Sequence, residues 1–363
     1  MHQSGLSGII DFPQRKASIN SGNEQFINSG VLKMGSFMNL FLKYVIRSIA
    51  LAAGVVAFSA TAQGTIPKEI RLDFAYYSPP ALVAKKFGWM EEEFKAEKAT
   101  IKWVFSQGSN NSLEYLNSGS TDFASTSGIS ALVARTNGFP VKMVYILNTN
   151  EASVLMVAKD SPIKTFADLK GKKIAATKGT DPYFFTLRAL AANKMTRDDV
   201  ELVHLQHPEG LQALLRGSVA AWAGLDPHMA AGEVNSGIRP IYRNSAFSSY
   251  VPLNTTENFI KNHPQALERV LKVYEQARIW ILQNPDEAAR IVSTESKQTF
   301  EVIRQNLTRA NFTKPIPEAI HTDTIRATLP ILVDEGIVKR DSNINAAMDS
   351  LVDTSFAKRV VKP

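Results

Sequence analysis

From residue 70 onward, short β-rich apolar runs alternate with stretches whose apolar positions recur every three to four residues, the grammar of parallel sheets covered by helices. Residues 70–76, 100–105, 121–125, 141–147 and 154–158 read as strands; 80–87, 90–96, 112–117 and 129–136 read as helices. After residue 159 the grammar restarts, with a short helix at 166–171 closed by Gly171 and a strand at 173–176. A helix over 183–193 follows, opened by Asp181 as N-cap and Pro182 in the first turn. Two stretches align at a constant offset, 113–124 and 211–222. Each is an apolar helix, a Gly-Ser stop and a buried strand, so the chain builds two similar lobes in succession. Beyond residue 264 the pattern turns almost wholly helical. Leu267, Val270, Leu271, Tyr274, Ala277 and Ile281 form one stripe over 264–284, and Asn284-Pro285 ends it. Further helices are expected over 286–292, 297–307, 317–335 and 344–352, and Trp280 reads as core.

A different pattern stands ahead of the lobes. Lys43 and Arg47 precede an uncharged apolar stretch, Ile49 to Phe58, followed by Ala60-Thr61-Ala62: a basic head, an apolar segment and a small-residue cleavage site, the parts of a secretory signal. About ten apolar residues fall well short of the roughly twenty that span a bilayer. Cleavage is therefore expected before Gln63, with export to the periplasm. Residues 1–33 show no apolar periodicity and read as a disordered extension upstream of a start at Met34 or Met38.

Charge and composition narrow the function. Beyond residue 62 there remain thirty-six basic and thirty-two acidic side chains, a net +4, and no polybasic run of the kind that binds nucleic acid; Lys170, Lys172 and Lys173 mark a solvated turn. With no cysteine there is neither a disulfide nor a thiol nucleophile. His204-x-x-His207 lacks the adjacent glutamate and third ligand of a zinc hydrolase, and Ser127-Gly128 lacks the glycine frame of a nucleophile elbow. No enzyme, metal or cofactor is expected.

In open α/β sheets a ligand sits beyond the carboxyl ends of the strands, where the next helices begin. Four such junctions carry hydroxyls or glycines: Tyr77-Ser78-Pro79-Pro80, Gly108-Ser109-Asn110, Ser125-Thr126-Ser127-Gly128, and Gly179-Thr180. Helix amino termini present unpaired N–H groups and partial positive charge, which suits an anion. Hydrogen bonds to a charged group are worth about 1.5–3 kcal/mol and a helix terminus up to about 2, so several reach the roughly 8 kcal/mol of a micromolar site before ordering costs. No arginine is needed, and none lies in these loops. Tyr77 is expected as a wall of the site and Trp222 as a second aromatic contact. Asp226 is expected to orient a loop or to receive an ammonium group, as Glu151 also could, while Asp181 acts as a cap.

The segments Ala167-Asp-Leu-Lys-Gly-Lys-Lys-Ile174, Lys178-Gly-Thr180, Gly217-Ser-Val-Ala-Ala-Trp222, Asp226-Pro227 and Asn284-Pro-Asp-Glu-Ala-Ala289, in this order, resemble the periplasmic solute-binding proteins of ABC transporters, in the aliphatic sulfonate, taurine and nitrate branch. That resemblance implies an α/β, two-lobed periplasmic-binding-protein fold (type II), each lobe a mainly parallel sheet flanked by helices, with two crossover hinge strands. It further implies a small organic anion such as a sulfonate in the cleft, ABC permease transmembrane subunits as partners, and a monomer that performs no chemistry. Other members carry nitrate or a thiamin-precursor pyrimidine. The branch often has Trp-Asp-Pro-Tyr where this chain reads Leu225-Asp-Pro-His228. The expected organisation is an extension at 1–33, a signal peptide at 34–62, lobe 1 at 63–157, lobe 2 at 158–253 and a helical return to lobe 1 at 254–363. Crossovers are expected near 157–160 and 250–254.

Overall fold

Local pattern and long-range pairing together produce two sheets. A computed structural model describes residues 64–362 apart from Ala152 and Asp341; the extension and signal segment read from the sequence lie outside these residues. The first sheet begins with β1 (Glu69–Phe74), β2 (Thr100–Phe105), β3 (Ala124–Ser125) and β4 (Val141–Asn150). The second holds β5 (Val154–Val157), β6 (Lys173–Ala175), β7 (Glu201–Val203), β8 (Ala221–Gly224) and β9 (Arg239–Tyr242). The chain then returns to the first sheet with β10 (Val251–Thr256) and β11 (Ala310–Asn311).

The two sheets share one strand order. β1 and β2 pair in parallel, Leu72 bridges Phe123 just ahead of β3, and β10 lies antiparallel between β3 and β4, with β11 on the edge. In the second sheet β6 pairs in parallel with β7 and β8, and β5 lies antiparallel between β8 and β9. In each sheet the antiparallel strand is the one that arrives from the other lobe. The crossovers therefore lie at 151–153 and 243–250, earlier than the expected 157–160 and 250–254. β5 looks in sequence like one more apolar strand of the first lobe. Only the pairing of Leu155 with Ala223 and Tyr242 assigns it to the second.

The internal repeat is structural. Helices Ser109–Asn117 and His207–Leu215 end in the same way: Gly119 (φ 71°) and Gly217 (φ 72°) take the left-handed conformation that glycine adopts without steric cost. Ser120 N–H then returns to the Tyr115 carbonyl at 2.8 Å and Ser218 N–H to that of Ala213 at 2.9 Å. β3 and β8 follow as third strands of their sheets, although the strand expected over 121–125 shortens to two residues.

The tail departs from expectation in two ways. Helix Pro264–Gln283 buries the predicted stripe against Pro79–Phe87 of lobe 1, but Phe300–Leu307 packs on His228–Ser236 of lobe 2, so the return contacts both lobes. The helix expected over 317–335 is two helices, Ala319–Arg326 and Leu329–Asp334. Pro330 has no N–H to continue the earlier turn, so it sits in the first turn of a new helix. Among the described residues no helix is long and apolar enough to cross a membrane.

Candidate functional site

A buried carboxylate organises the lobe-1 face of the cleft. Asp73, near the carboxyl end of β1, is fully buried and accepts from the Ser106 hydroxyl (2.9 Å), the Ser112 hydroxyl (2.6 Å), and both the N–H (2.8 Å) and hydroxyl (3.0 Å) of Ser125. One side chain thus ties together the ends of β1, β2 and β3 and the helix Ser109–Asn117. The Tyr77 hydroxyl donates to the Ser125 carbonyl at 3.0 Å, and Ser127 N–H donates to the Ser109 hydroxyl oxygen at 2.8 Å. Ser127 caps helix Gly128–Thr136 by accepting from Ser130 N–H at 3.1 Å. Asp73 was not among the residues singled out from sequence. Its one trace there is an acidic residue placed directly beside Leu72 inside the strand-like run 70–76.

On the lobe-2 side Thr180, not Asp181, is the N-cap of helix Asp181–Ala192, with Pro182 second in the helix. Asp181 instead accepts from the Ser249 hydroxyl and, at 3.2 Å, from the Ser153 hydroxyl, and it is buried. Ser153 belongs to the first crossover and Ser249 to the second. The lobes also meet directly. Ser130 Oγ donates to the Gly179 carbonyl at 2.9 Å, and Gly179 (φ 80°) needs glycine to present it. Because that bond uses the Ser130 hydrogen, Ser127 Oγ donates to Ser130 Oγ, 2.6 Å away.

Between the lobes lies a small cavity whose walls include Tyr77, Ser109, Ser127, Thr180, Leu225 and Tyr250. Four of the ten sequence-derived site residues thus converge on one space, Tyr77 as the expected wall. Gly108 and Gly179 flank it. A Cβ on Gly108 would stand 2.9 Å from Asn110 Oδ1 and 3.0 Å from His207 Nε2, so its bare backbone permits the lobes to approach.

Four expectations require correction. Gly128 N–H is committed to the Ser249 carbonyl at 3.2 Å, and a side chain there would collide with that oxygen and with Ile325; this glycine serves packing at the crossover. Ser78 opens a helix whose first two residues are prolines, so that helix end lacks the donors an anion would use, and Ser78 Oγ is buried without a protein partner. Trp222 is core, 1% exposed and packed against Gly210, and lines no part of this cavity. Asp226 is not available to an ammonium group. Arg309 grips it with two hydrogen bonds, Nε to Oδ2 at 2.8 Å and Nη2 to Oδ1 at 2.9 Å, and Glu151 is likewise paired with Arg243 at 3.1 Å.

What the arrangement offers an anion is chiefly peptide N–H groups. The helix geometry leaves those of Ser109, Asn110 and Asn111 without intrahelical acceptors, and hydroxyls of Ser109 and Thr180 stand beside them. Thr180 Oγ1 donates to the Thr177 carbonyl at 2.6 Å, a bond it can exchange for a ligand acceptor by rotation.

Burial pushes the carboxyls of Asp73 and Asp181 up to about 6, their serine donors opposing, and burial pushes the imidazoles of His207 and His228 down to about 3 and about 4. The raised carboxyls add stability that is present in acid and lost as pH rises through 6. The lowered imidazoles add stability that is present above their ordinary range and lost as pH falls toward 4. Relative to the parent, His228→Gln should therefore gain thermal stability as pH is lowered from about 7 to 4.5. Melting curves for both proteins across that range would test this, and a constant difference would contradict it.

Several known proteins are similar to this chain in sequence and fold. A family model described as NMT1/THI5 like matches residues 76–288. A protein of Bacillus subtilis (strain 168), provisionally described as aliphatic sulfonates-binding, is 29% identical over 318 residues, spanning 86% of this chain and 94% of its own. An Escherichia coli (strain K12) protein with the same description is 33% identical over 190 residues, 52% of this chain and 59% of its own. Among solved structures, the alkanesulfonate-binding protein SsuA from Xanthomonas axonopodis pv. citri bound to MOPS aligns with a TM-score of 0.72 at 22% identity, covering 80% of this chain and 99% of that one. The fold and the resemblance read from the sequence are both borne out; these relatives are binding proteins.

Proposed function

The chain belongs to the NMT1/THI5-like family, and from that premise we propose that it is the exported, periplasmic substrate-binding component of an ABC importer. It captures a small organic anion, an aliphatic sulfonate or taurine, between its lobes and delivers it to the transmembrane subunits of a permease. The observation that carries this reading is the cavity walled by Tyr77, Ser109, Ser127 and Thr180, with helix-terminal N–H groups beside it and the lobes already touching through Ser130 and Gly179. A tetrahedral, weakly basic oxyanion is matched by several neutral donors better than by one lysine or arginine, because fixed dipoles lose little on binding. A pyrimidine ligand calls for a free carboxylate in the cleft; Asp226 is occupied by Arg309, and Asp181, which lines the cavity, already accepts from Ser249 and Ser153.

Calorimetric titration with an alkanesulfonate tests the reading. The parent should bind, and Ser109→Ala and Thr180→Val should each weaken binding by about tenfold, or about 1.4 kcal/mol; ligand-free Thr180→Val should melt near the parent temperature, and Ser109→Ala below it, because Ser127 N–H loses its acceptor. Undiminished affinity in both variants would put the ligand elsewhere. Gly128→Pro is not a clean probe, since it breaks the bond to Ser249 before any ligand arrives.

A further inference from the structure

His207 holds in lobe 2 the place that Ser109 holds in lobe 1: each is the first residue of the helix in the internal repeat, at the same offset that relates 113–124 to 211–222. Its ring is wholly buried, and the proton on it can be placed. The Thr177 hydroxyl donates to the Leu205 carbonyl at 2.7 Å, so its oxygen is left to accept, and His207 Nδ1 lies 3.1 Å from that oxygen. The imidazole hydrogen therefore sits on Nδ1 and Nε2 carries a bare lone pair. Burial keeps the ring neutral, with His228 and His204 adding to the effect.

That lone pair has no protein partner. Nε2 lies at the seam between the lobes, 3.0 Å from where a Cβ of Gly108 would stand, and the same point is 2.9 Å from Asn110 Oδ1, a second buried acceptor without a partner, and 3.3 Å from Cγ2 of the cavity-lining Thr180. Two acceptors without protein partners, one from each lobe, thus face Gly108 at the seam, next to Thr180 of the cavity wall. A buried acceptor left unmade disfavours the closed form, and a ligand that supplies a hydrogen to it relieves that cost.

We propose that His207 Nε2 is a specificity-determining acceptor that takes a hydrogen bond from an N–H or O–H on the organic part of the bound anion, so that amino- or hydroxy-substituted sulfonates are preferred to plain alkyl ones. This rests on the sulfonate reading above.

Calorimetry with taurine, 2-hydroxyethanesulfonate and ethanesulfonate tests it, on the parent, His207→Phe and His207→Gln. The parent should favour the first two over ethanesulfonate by about tenfold or more. His207→Phe should erase that preference and leave ethanesulfonate binding within about threefold of the parent, and His207→Gln, which restores an acceptor oxygen, should recover part of it. Nitrogen-15 spectra of histidine-labelled parent supply a readout independent of any sulfonate: Nδ1 protonated and Nε2 bare in the free protein. Equal affinity of the parent for all three ligands, or a proton on Nε2, overturns the proposal. If none of the three binds while the spectrum shows a bare Nε2, the sulfonate reading falls and the acceptor at His207 stands.

Discussion

Replacing Arg309 by methionine should lower the unfolding free energy by about 3–5 kcal/mol, the cost of stranding a buried charge. Arg309 lies between helix Phe300–Leu307 and β11, which belongs to the first sheet, while its partners lie in the second lobe. Asp226 is 3% exposed and receives both ends of the guanidinium fork as well as Ala230 N–H at 2.9 Å; Glu233 takes the remaining nitrogen at 2.8 Å. Burial acts to lower the pKa of Arg309, and the two carboxylates more than offset it, holding the cation with a raised pKa. Urea unfolding would measure the loss. The double variant Arg309→Met with Asp226→Leu should recover most of it, since a buried ion pair exchanged for apolar groups of similar size is often neutral. A single-variant loss below about 1 kcal/mol would mean that the pair behaves like an exposed one.

Asp73→Ala should cost about 3–5 kcal/mol, because four buried donor bonds end on one carboxylate and each donor left unmade costs about 1–3 before relaxation. Ligand affinity should fall with it. Ser106, Ser112 and Ser125 lose their common anchor, and the loops they belong to frame the cavity. Asp73→Asn should be milder, because its oxygen still accepts from Ser125 N–H and the serine hydroxyls can turn to accept from its amide. Thermal melts and sulfonate titration on the three proteins would read both effects. Equal stability of Asp73→Ala and the parent would show that the serines find other partners at no cost.

What could be read from the chain is what depends on neighbours in sequence. The stripe of Leu267, Val270, Leu271 and Tyr274 and the Gly-Ser stops at 119 and 217 are local, and they form as expected. Misreadings arose where a residue's role is set by one far away. Asp226 looked like a ligand carboxylate because Arg309 is eighty-three positions off. Gly128 looked like a donor because its acceptor, Ser249, lies in the second crossover, far along the chain. In sequence His204 and His207 read as a pair that neither holds a metal nor bears on ligand binding; in the structure His204 accepts from Lys178 N–H at 3.0 Å, and the two rings serve different loops. The lobe boundary was misplaced for the same reason, since an apolar strand does not declare its sheet.

Asp181 has a mechanical consequence. Both polypeptide connections between the lobes are fastened to the same carboxylate, Ser153 of one and Ser249 of the other. A pivot with two independent pins can twist as well as swing. Here the connections share one pin, so either they move together or a bond to that oxygen pair breaks. If the lobes close on a ligand as proposed, opening is narrowed toward a single path, and Asp181, which also lines the cavity, sets that ligand against the axle itself, where a small displacement becomes the largest travel at the rim.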